Sequence, residues 1–312
     1  MPPACAAPVR YARHQPETTT LYKTIERWYP EFLAHLAGQG RALPRYVQRE
    51  FEEYLKCGRL EHGFLRVRCD RCHAEKLVAF SCKRRGFCPS CGARRMAESA
   101  ALLIDEVLPP MPLRQWVLSL PIPLRFLSAA HPKAMGEILR VVYRCLAEHL
   151  IQRAHLTKDT ARTGAITFIQ RFGGSVNLNI HFHMLALDGV YRIDERTPSV
   201  LHFRRGAAPT SEELQHLIDR IARRVGQRLE RLGYLKRDRG EGQDPHFAFP
   251  DDAEPIEEDQ TLHALQQAAI TYRIALGPQA GQKALTIQTL PPTFDEDKGP
   301  HIAAAHGFSL HA

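Results

Sequence analysis

Asn179-Ile180-His181-Phe182-His183-Met184-Leu185 alternates polar or ring-nitrogen side chains with apolar ones at a period of two. Strand side chains point to opposite faces in turn, so His181 and His183 are expected on one face, about 7 Å apart along the chain. Phe182 and Met184 would then be buried on the other. Two imidazoles on one face can grip one divalent metal, although a pair of satisfied sheet histidines would show the same pattern. Upstream, Ala165 to Phe172 is a second β-rich run, and Gly173-Gly174 separates it from the run Val176 to Leu187, which predicts a β-hairpin. Depending on its register, His181 lies opposite Phe168 or Gln170. Gln170 could supply a third ligand through its amide oxygen. Two nitrogens and one oxygen with open positions suit Mg or Mn polarising a phosphate. Asp188-Gly189 reads as the turn that ends the strand.

The surroundings of the hairpin set the fold class. Gln115 to Leu120 is an apolar strand candidate ended by Pro121 and Pro123, and Pro132 to Leu150 has helical spacing. Thr210 and Glu213 form a capping-box pattern before the amphipathic run Leu214 to Leu229. Leu262 to Leu276 is expected to be helical, and the acidic stretch Asp251 to Asp259 to be a solvated loop. Strand, helix, hairpin, helix predicts an α+β fold, a sandwich with a largely antiparallel sheet. Pro109-Pro110 and Met111-Pro112 mark the boundary between an N-terminal domain, 18–108, and a second domain, 113–312.

The first domain reads as two helices, Leu21 to Leu36 and one opened by Pro44, followed by short strands and a third helix near Arg95 to Val107. Between them lie Cys69-Asp70-Arg71-Cys72 and Cys88-Pro89-Ser90-Cys91. A two-residue spacing presents both sulfurs to one ion, and two such knuckles complete a tetrahedral, structural zinc site. Cys57, His62, His73 and Cys82 are close enough in sequence to substitute as ligands. Gly86 and Gly92 flank the second knuckle as its expected turn residues. Lys83, Arg84, Arg85, Arg94 and Arg95 surround this knuckle with no acid from Cys82 to Arg95. Such a patch can neutralise phosphates, and Phe87 offers a ring for stacking, so DNA is the expected partner.

The chain has 312 residues, 42 Lys+Arg against 34 Asp+Glu, and a net charge of +8, which permits a polyanionic partner. A hydrophobic fraction of 44% excludes wholesale disorder. No apolar run approaches the roughly 20 residues of a membrane span, and the first residues lack a signal-peptide core. The 8 cysteines are therefore expected as reduced thiols rather than disulfides.

Taken together, these motifs resemble a family: the HUH-nuclease transposases of the insertion-sequence-91 type. The resemblance rests on His181-Phe182-His183 within Asn179 to Val190, and on Cys69 to Cys72 followed by Ser81-Cys82-Lys83-Arg84-Arg85-Gly86-Phe87-Cys88-Pro89-Ser90-Cys91. Gln115 to Leu120 and Arg273-Ile274-Ala275-Leu276-Gly277-Pro278 are also similar to the family. The resemblance implies an HUH-type α/β sandwich behind a zinc-binding domain, acting in the cytoplasm on single-stranded transposon ends. It implies DNA transposition by a tyrosine that attacks a phosphodiester, with a catalytic Mg or Mn and no nucleotide cofactor or membrane. The family's tyrosine followed by Arg-Pro is not found. Of Tyr191, Tyr234 and Tyr272, only Tyr272, expected on a helix beside Arg273, is a candidate nucleophile. The chain is accordingly expected to be a C-terminally truncated transposase. The alternatives are a catalytically inactive zinc-ribbon DNA-binding protein and a metal-dependent hydrolase using water, although no carboxylate near the histidines offers itself as a base.

Overall fold

The computed structural model describes residues 13–70, 72–84, 86–173, 177–193, 201–237, 247–248, 260–283 and 302–312. Arg85, Gly174 and the acidic stretch 251–259 lie outside the described residues. The chain forms two compact units, one essentially Met1–Pro109 and the other essentially from Pro110 onward.

The first unit opens with α1 (Thr20–Gly38), whose N-cap Thr19 accepts a hydrogen bond from the Tyr22 N–H. Helix α2 (Arg45–Lys56) follows with Pro44 as its N-cap, and Gly58, at a φ of +77°, turns the chain away after it. The antiparallel hairpin of β1 (Phe64–Arg68) and β2 (Glu75–Ala79) comes next. Helix α3 (Pro89–Leu102) starts at Pro89 rather than near Arg95. The proline's fixed φ suits the first helical turn, where its missing N–H is not needed. Gly92 is therefore a helical residue and not a turn residue. Tyr22, Tyr54, Cys57 and Cys88 form the buried centre of this unit.

In the second unit, β3 (Leu113–Ser119) is the middle strand of a sheet. The strand ends before Pro121 as expected, and the chain turns directly into α4 (Ile122–Ala130). Both prolines fall at the helix start, as N-cap and within the first turn, where they are tolerated. Helix α5 (Pro132–Arg153) and a two-residue strand β4 (Ala161–Arg162) lead to the hairpin of β5 (Ala165–Phe172) and β6 (Leu178–Leu187). Strands β7 (Gly189–Ile193) and β8 (Leu201–Arg205) join β4 in a separate three-stranded sheet, ordered β4-β7-β8. The capping box at Thr210 is complete on both sides and opens α6 (Ser211–Arg231). A two-residue pair, β9 (Lys236–Arg237) and β10 (Phe247–Ala248), precedes α7 (Gln260–Ile270). That helix stops well before Leu276. Strands β11 (Ile302–Ala305) and β12 (Phe308–His311) complete the main sheet, ordered β11-β12-β3-β6-β5, antiparallel at every pairing.

One face of that sheet carries Trp116, Leu118, Ile180, Phe182 and Met184, and packs with α4, α5 and α6 in a single buried core. The fold is thus a helical N-terminal region with a cysteine cluster, followed by an α+β region with antiparallel sheets. At the junction of the two sheets, Arg114 grips the buried Asp188 with two hydrogen bonds of 2.8 and 3.2 Å.

Candidate metal centre and candidate active face

Four sulfurs converge in the first unit, and they are those of Cys57, Cys82, Cys88 and Cys91, all within 4.8 Å of one another. Cys57 sits at the C-terminus of α2, Cys82 follows β2, Cys88 caps α3 and Cys91 lies in its first turn. Measured Sγ–Sγ separations are 3.7 Å for Cys57–Cys91, 3.5 Å for Cys82–Cys91 and 3.7 Å for Cys57–Cys88. A tetrahedron with zinc–sulfur bonds of about 2.3 Å has sulfur–sulfur edges of about 3.8 Å, so the donors fit the ion with little adjustment. The Cys82 N–H also donates to Cys57 Sγ at 3.3 Å, which orients that sulfur.

The expected first knuckle is corrected by this geometry. Cys88 and Cys91 are in the cluster, but Cys69 and Cys72 are exposed at the β1–β2 turn and outside it. Cys57 and Cys82 take their places. Hydrogen bonding from Cys57 holds the Cys88 thiol at about 5, whereas burial pushes Cys82 up to about 12. Cys57 is raised as well, by its hydrogen bond to Cys88 and by burial. Four thiolates at this spacing need a cation to offset their mutual repulsion, which is the chemistry of a closed structural zinc site. Phe87 is not a free stacking platform, because its ring lies 4.9 Å from Phe51 and 5.0 Å from Tyr54, measured between centroids.

Of the basic residues near the cluster, Arg84 lies 3.9 Å from Glu50, Arg94 pairs with Glu98 at 3.0 Å, and Arg95 donates to the Lys83 carbonyl. Lys83 itself holds a left-handed φ of +52°.

On the main sheet, β5 and β6 pair so that Gln170 is opposite His181 and Phe168 opposite His183. Directly paired residues share a face, so Gln170 and both histidines lie on the face opposite the helices. The two imidazole centroids are 5.1 Å apart. The Nδ1 of His181 donates to the Asn179 carbonyl at 2.6 Å, leaving its Nε2 with a free lone pair. The Gln115 side-chain amide lies 2.7 Å from His183 Nδ1. The contacting atom is the amide nitrogen, and the contact orients the His183 ring through its Nδ1. Burial, and then the neighbouring His181, push His183 below its ordinary value and favour the neutral ring.

Gln115 escaped the sequence reading because its contact with His183 depends on the β3–β6 register. So did His311, which pairs with Val117 across β12 and β3, while Val117 pairs with His183. That row places His311 on the same face, two strands from His183.

Tyr272 is not helical. It lies in a turn just after α7 with a φ of +56°, half-buried near the Arg125 guanidinium. Tyr191 is on the smaller sheet against Phe203, and Tyr234 packs against His131 and the core. Asp188 is an ion-pair partner and not a ligand of the histidine face.

Residues 24–120 match the family described as "Transposase zinc-binding domain", of the insertion-sequence-91 type. Residues 164–252 match the family described as "Putative transposase". No curated protein matches the chain. Among the described residues, no helix is long and apolar enough to cross a membrane. One matched stretch covers the cysteine centre and the other covers the histidine strand, and both are matches to transposase families.

Proposed function

We propose that the chain cleaves and rejoins single-stranded DNA at the His181–His183 face, and that its first domain, 18–108, binds DNA through Lys83, Arg84, Arg85, Arg94 and Arg95. The second domain, 113–312, would carry the chemistry. The carrying observation is the pair of same-face imidazoles, each with its Nδ1 engaged and Gln170 directly opposite His181. Such Nδ1 contacts fix ring orientation in metal-binding histidines. His181, His183 and Gln170 would hold Mg or Mn, which would supply Lewis-acid polarisation of the scissile phosphate. A tyrosine oxygen would attack the phosphorus, and the bond to the 3′-oxygen would break. A 5′-phosphotyrosine and a 3′-hydroxyl result, with the phenol proton passing to the departing oxygen. The reverse attack rejoins the strand without a nucleotide cofactor, because the phosphodiester energy is kept in the covalent link.

The test is labelled single-stranded DNA with Mn, resolved on a denaturing protein gel. A protein–DNA band that disappears with His181→Ala supports the proposal, and its loss with Tyr272→Phe would assign the nucleophile. Binding without any covalent band supports a second reading, a zinc-containing DNA-binding protein without cleavage. The packing of Tyr191 against Phe203 and of Tyr234 against His131 favours that second reading.

A further inference from the structure

The outer sides of α5 and α6 form a basic trough that neither the cysteine centre nor the histidine face uses. On α5, Glu137, Arg140, Arg144 and Glu148 recur every three or four residues and so share one line along the helix. On α6, Arg224, Arg228 and Arg231 form a facing line. Two adjoining cavities of about 450 and 410 Å³ lie along these lines, and both are lined by Arg140, Arg144, Glu148 and Lys158. Arg162 and Tyr143 extend the second cavity toward β4. Seven cationic side chains thus line the trough against two carboxylates.

An internal ion-pair network would also gather arginines, so the pairing decides the reading. Glu137 is occupied by Arg228 at 2.9 Å and Arg140 at 3.4 Å. Glu148 is occupied by Lys158 at 2.6 Å and Arg224 at 2.5 Å. Both acids are used up, and among the described residues Arg144, Arg162 and Arg231 have no carboxylate at ion-pair distance. Cations in excess of their partners, crowded along one trough, repel one another unless an anion joins them.

We propose that this trough binds the phosphate backbone of double-stranded DNA. Arginines four residues apart are about 6 Å apart along each axis, so the two helices hold their cations in rows on rigid supports. Arginine forks match phosphate geometry. Single-strand binders instead rely on rows of aromatic platforms. The trough has one aromatic ring, Tyr143, and its hydroxyl is tied to the Thr163 carbonyl at 3.2 Å. The helices cover the sheet face opposite His181 and His183, so duplex held here leaves the histidine face open for a single strand. The proposal extends the transposase reading without depending on strand cleavage.

The test is equilibrium binding of the zinc-loaded chain to a labelled 20-base-pair duplex of arbitrary sequence and to one of its single strands, over about 50 to 200 mM NaCl. Arg144→Gln with Arg231→Gln should weaken duplex binding at least tenfold at the lower salt. It should also reduce the slope of log affinity against log salt by about 1.8, or about 0.9 for each phosphate no longer neutralised. Single-strand affinity should change less than twofold. Arg144→Gln alone, the milder change, should reduce the slope by about 0.9. Unchanged duplex affinity in variants that melt like the parent chain, or an equal loss on the single strand, would overturn the proposal. Absence of a covalent DNA adduct would leave these binding results intact, so the two ideas fail separately.

Discussion

The Sγ of Cys57 lies 3.7 Å from that of Cys88, although one ends α2 and the other begins α3. Tyr22 and Tyr54 pack around this contact with their rings 5.9 Å apart, so the sulfurs and the small aromatic core are assembled together. Removing zinc with a chelator should therefore unfold the first unit. Elemental analysis should find one equivalent of zinc per chain, and Cys57→Ser and Cys82→Ser should each abolish it. Cys69→Ser and Cys72→Ser should retain it, and loss of zinc from either would refute the ligand set.

Gln115 holds His183 from the neighbouring strand. Outer contacts of this kind typically contribute 10- to 100-fold, roughly, to metal affinity. Gln115→Ala should accordingly weaken Mn binding by about tenfold in calorimetry on the zinc-loaded chain, with little change in melting. Unaltered Mn affinity would remove Gln115 from the site.

His149 is buried beside the edge of Trp116, with ring centroids 6.1 Å apart. Burial, and next Arg153, push it from 6.5 down to about 4. As pH falls below 6.5 the unfolded chain takes up this proton and the folded chain does not, so stability declines until about pH 4 and then levels. The shift corresponds to about 3 kcal/mol. His149→Phe should flatten this part of the stability curve relative to the parent, and parallel curves from about pH 7 to about pH 4 would contradict the assignment.

Asp188 is 5 % exposed and held in two hydrogen bonds by Arg114, with Arg205 at 3.8 Å. Asp188→Asn leaves the Arg114 guanidinium without its counter-charge, at a loss of about 3 kcal/mol by chemical denaturation. A loss under about 0.5 kcal/mol, the range of an ordinary surface change, would show that the pair is effectively solvated.

Thr210 and Glu213 satisfy each other's backbone N–H groups at the start of α6. Thr210→Ala should cost about 1 kcal/mol. Since α6 packs on α5, the same variant should speed amide exchange in the first turns of α6 before any global unfolding is seen.

Short-range features were legible from the sequence alone. The alternation through His181 and His183 put both rings on one face, because strand geometry leaves no other choice. Thr210 and Glu213 announced α6, and the Gly173-Gly174 neighbourhood announced the hairpin, because capping and turn chemistry act within a few residues. The same local logic misled at Cys69-x-x-Cys72. Spacing shows that two sulfurs can share an ion, but not which other pair the chain brings to them. Packing of Tyr22, Tyr54 and Phe87 brings Cys57 and Cys82 to Cys88 and Cys91, and leaves Cys69 and Cys72 at an exposed turn. Prolines 121 and 123 do end β3, and the fold also uses them as the start of α4. The side-chain contact of Gln115 with His183, and the pairing of Gln170 with His181 and of His311 with Val117, came from strand register. Register is settled by burying Trp116, Leu118, Phe182 and Met184 together under the helices, since a one-residue slip would turn those side chains to the open face. What depends on neighbours along the chain was therefore determined by the sequence itself, and what depends on closing long loops around a shared core was decided only in the folded structure.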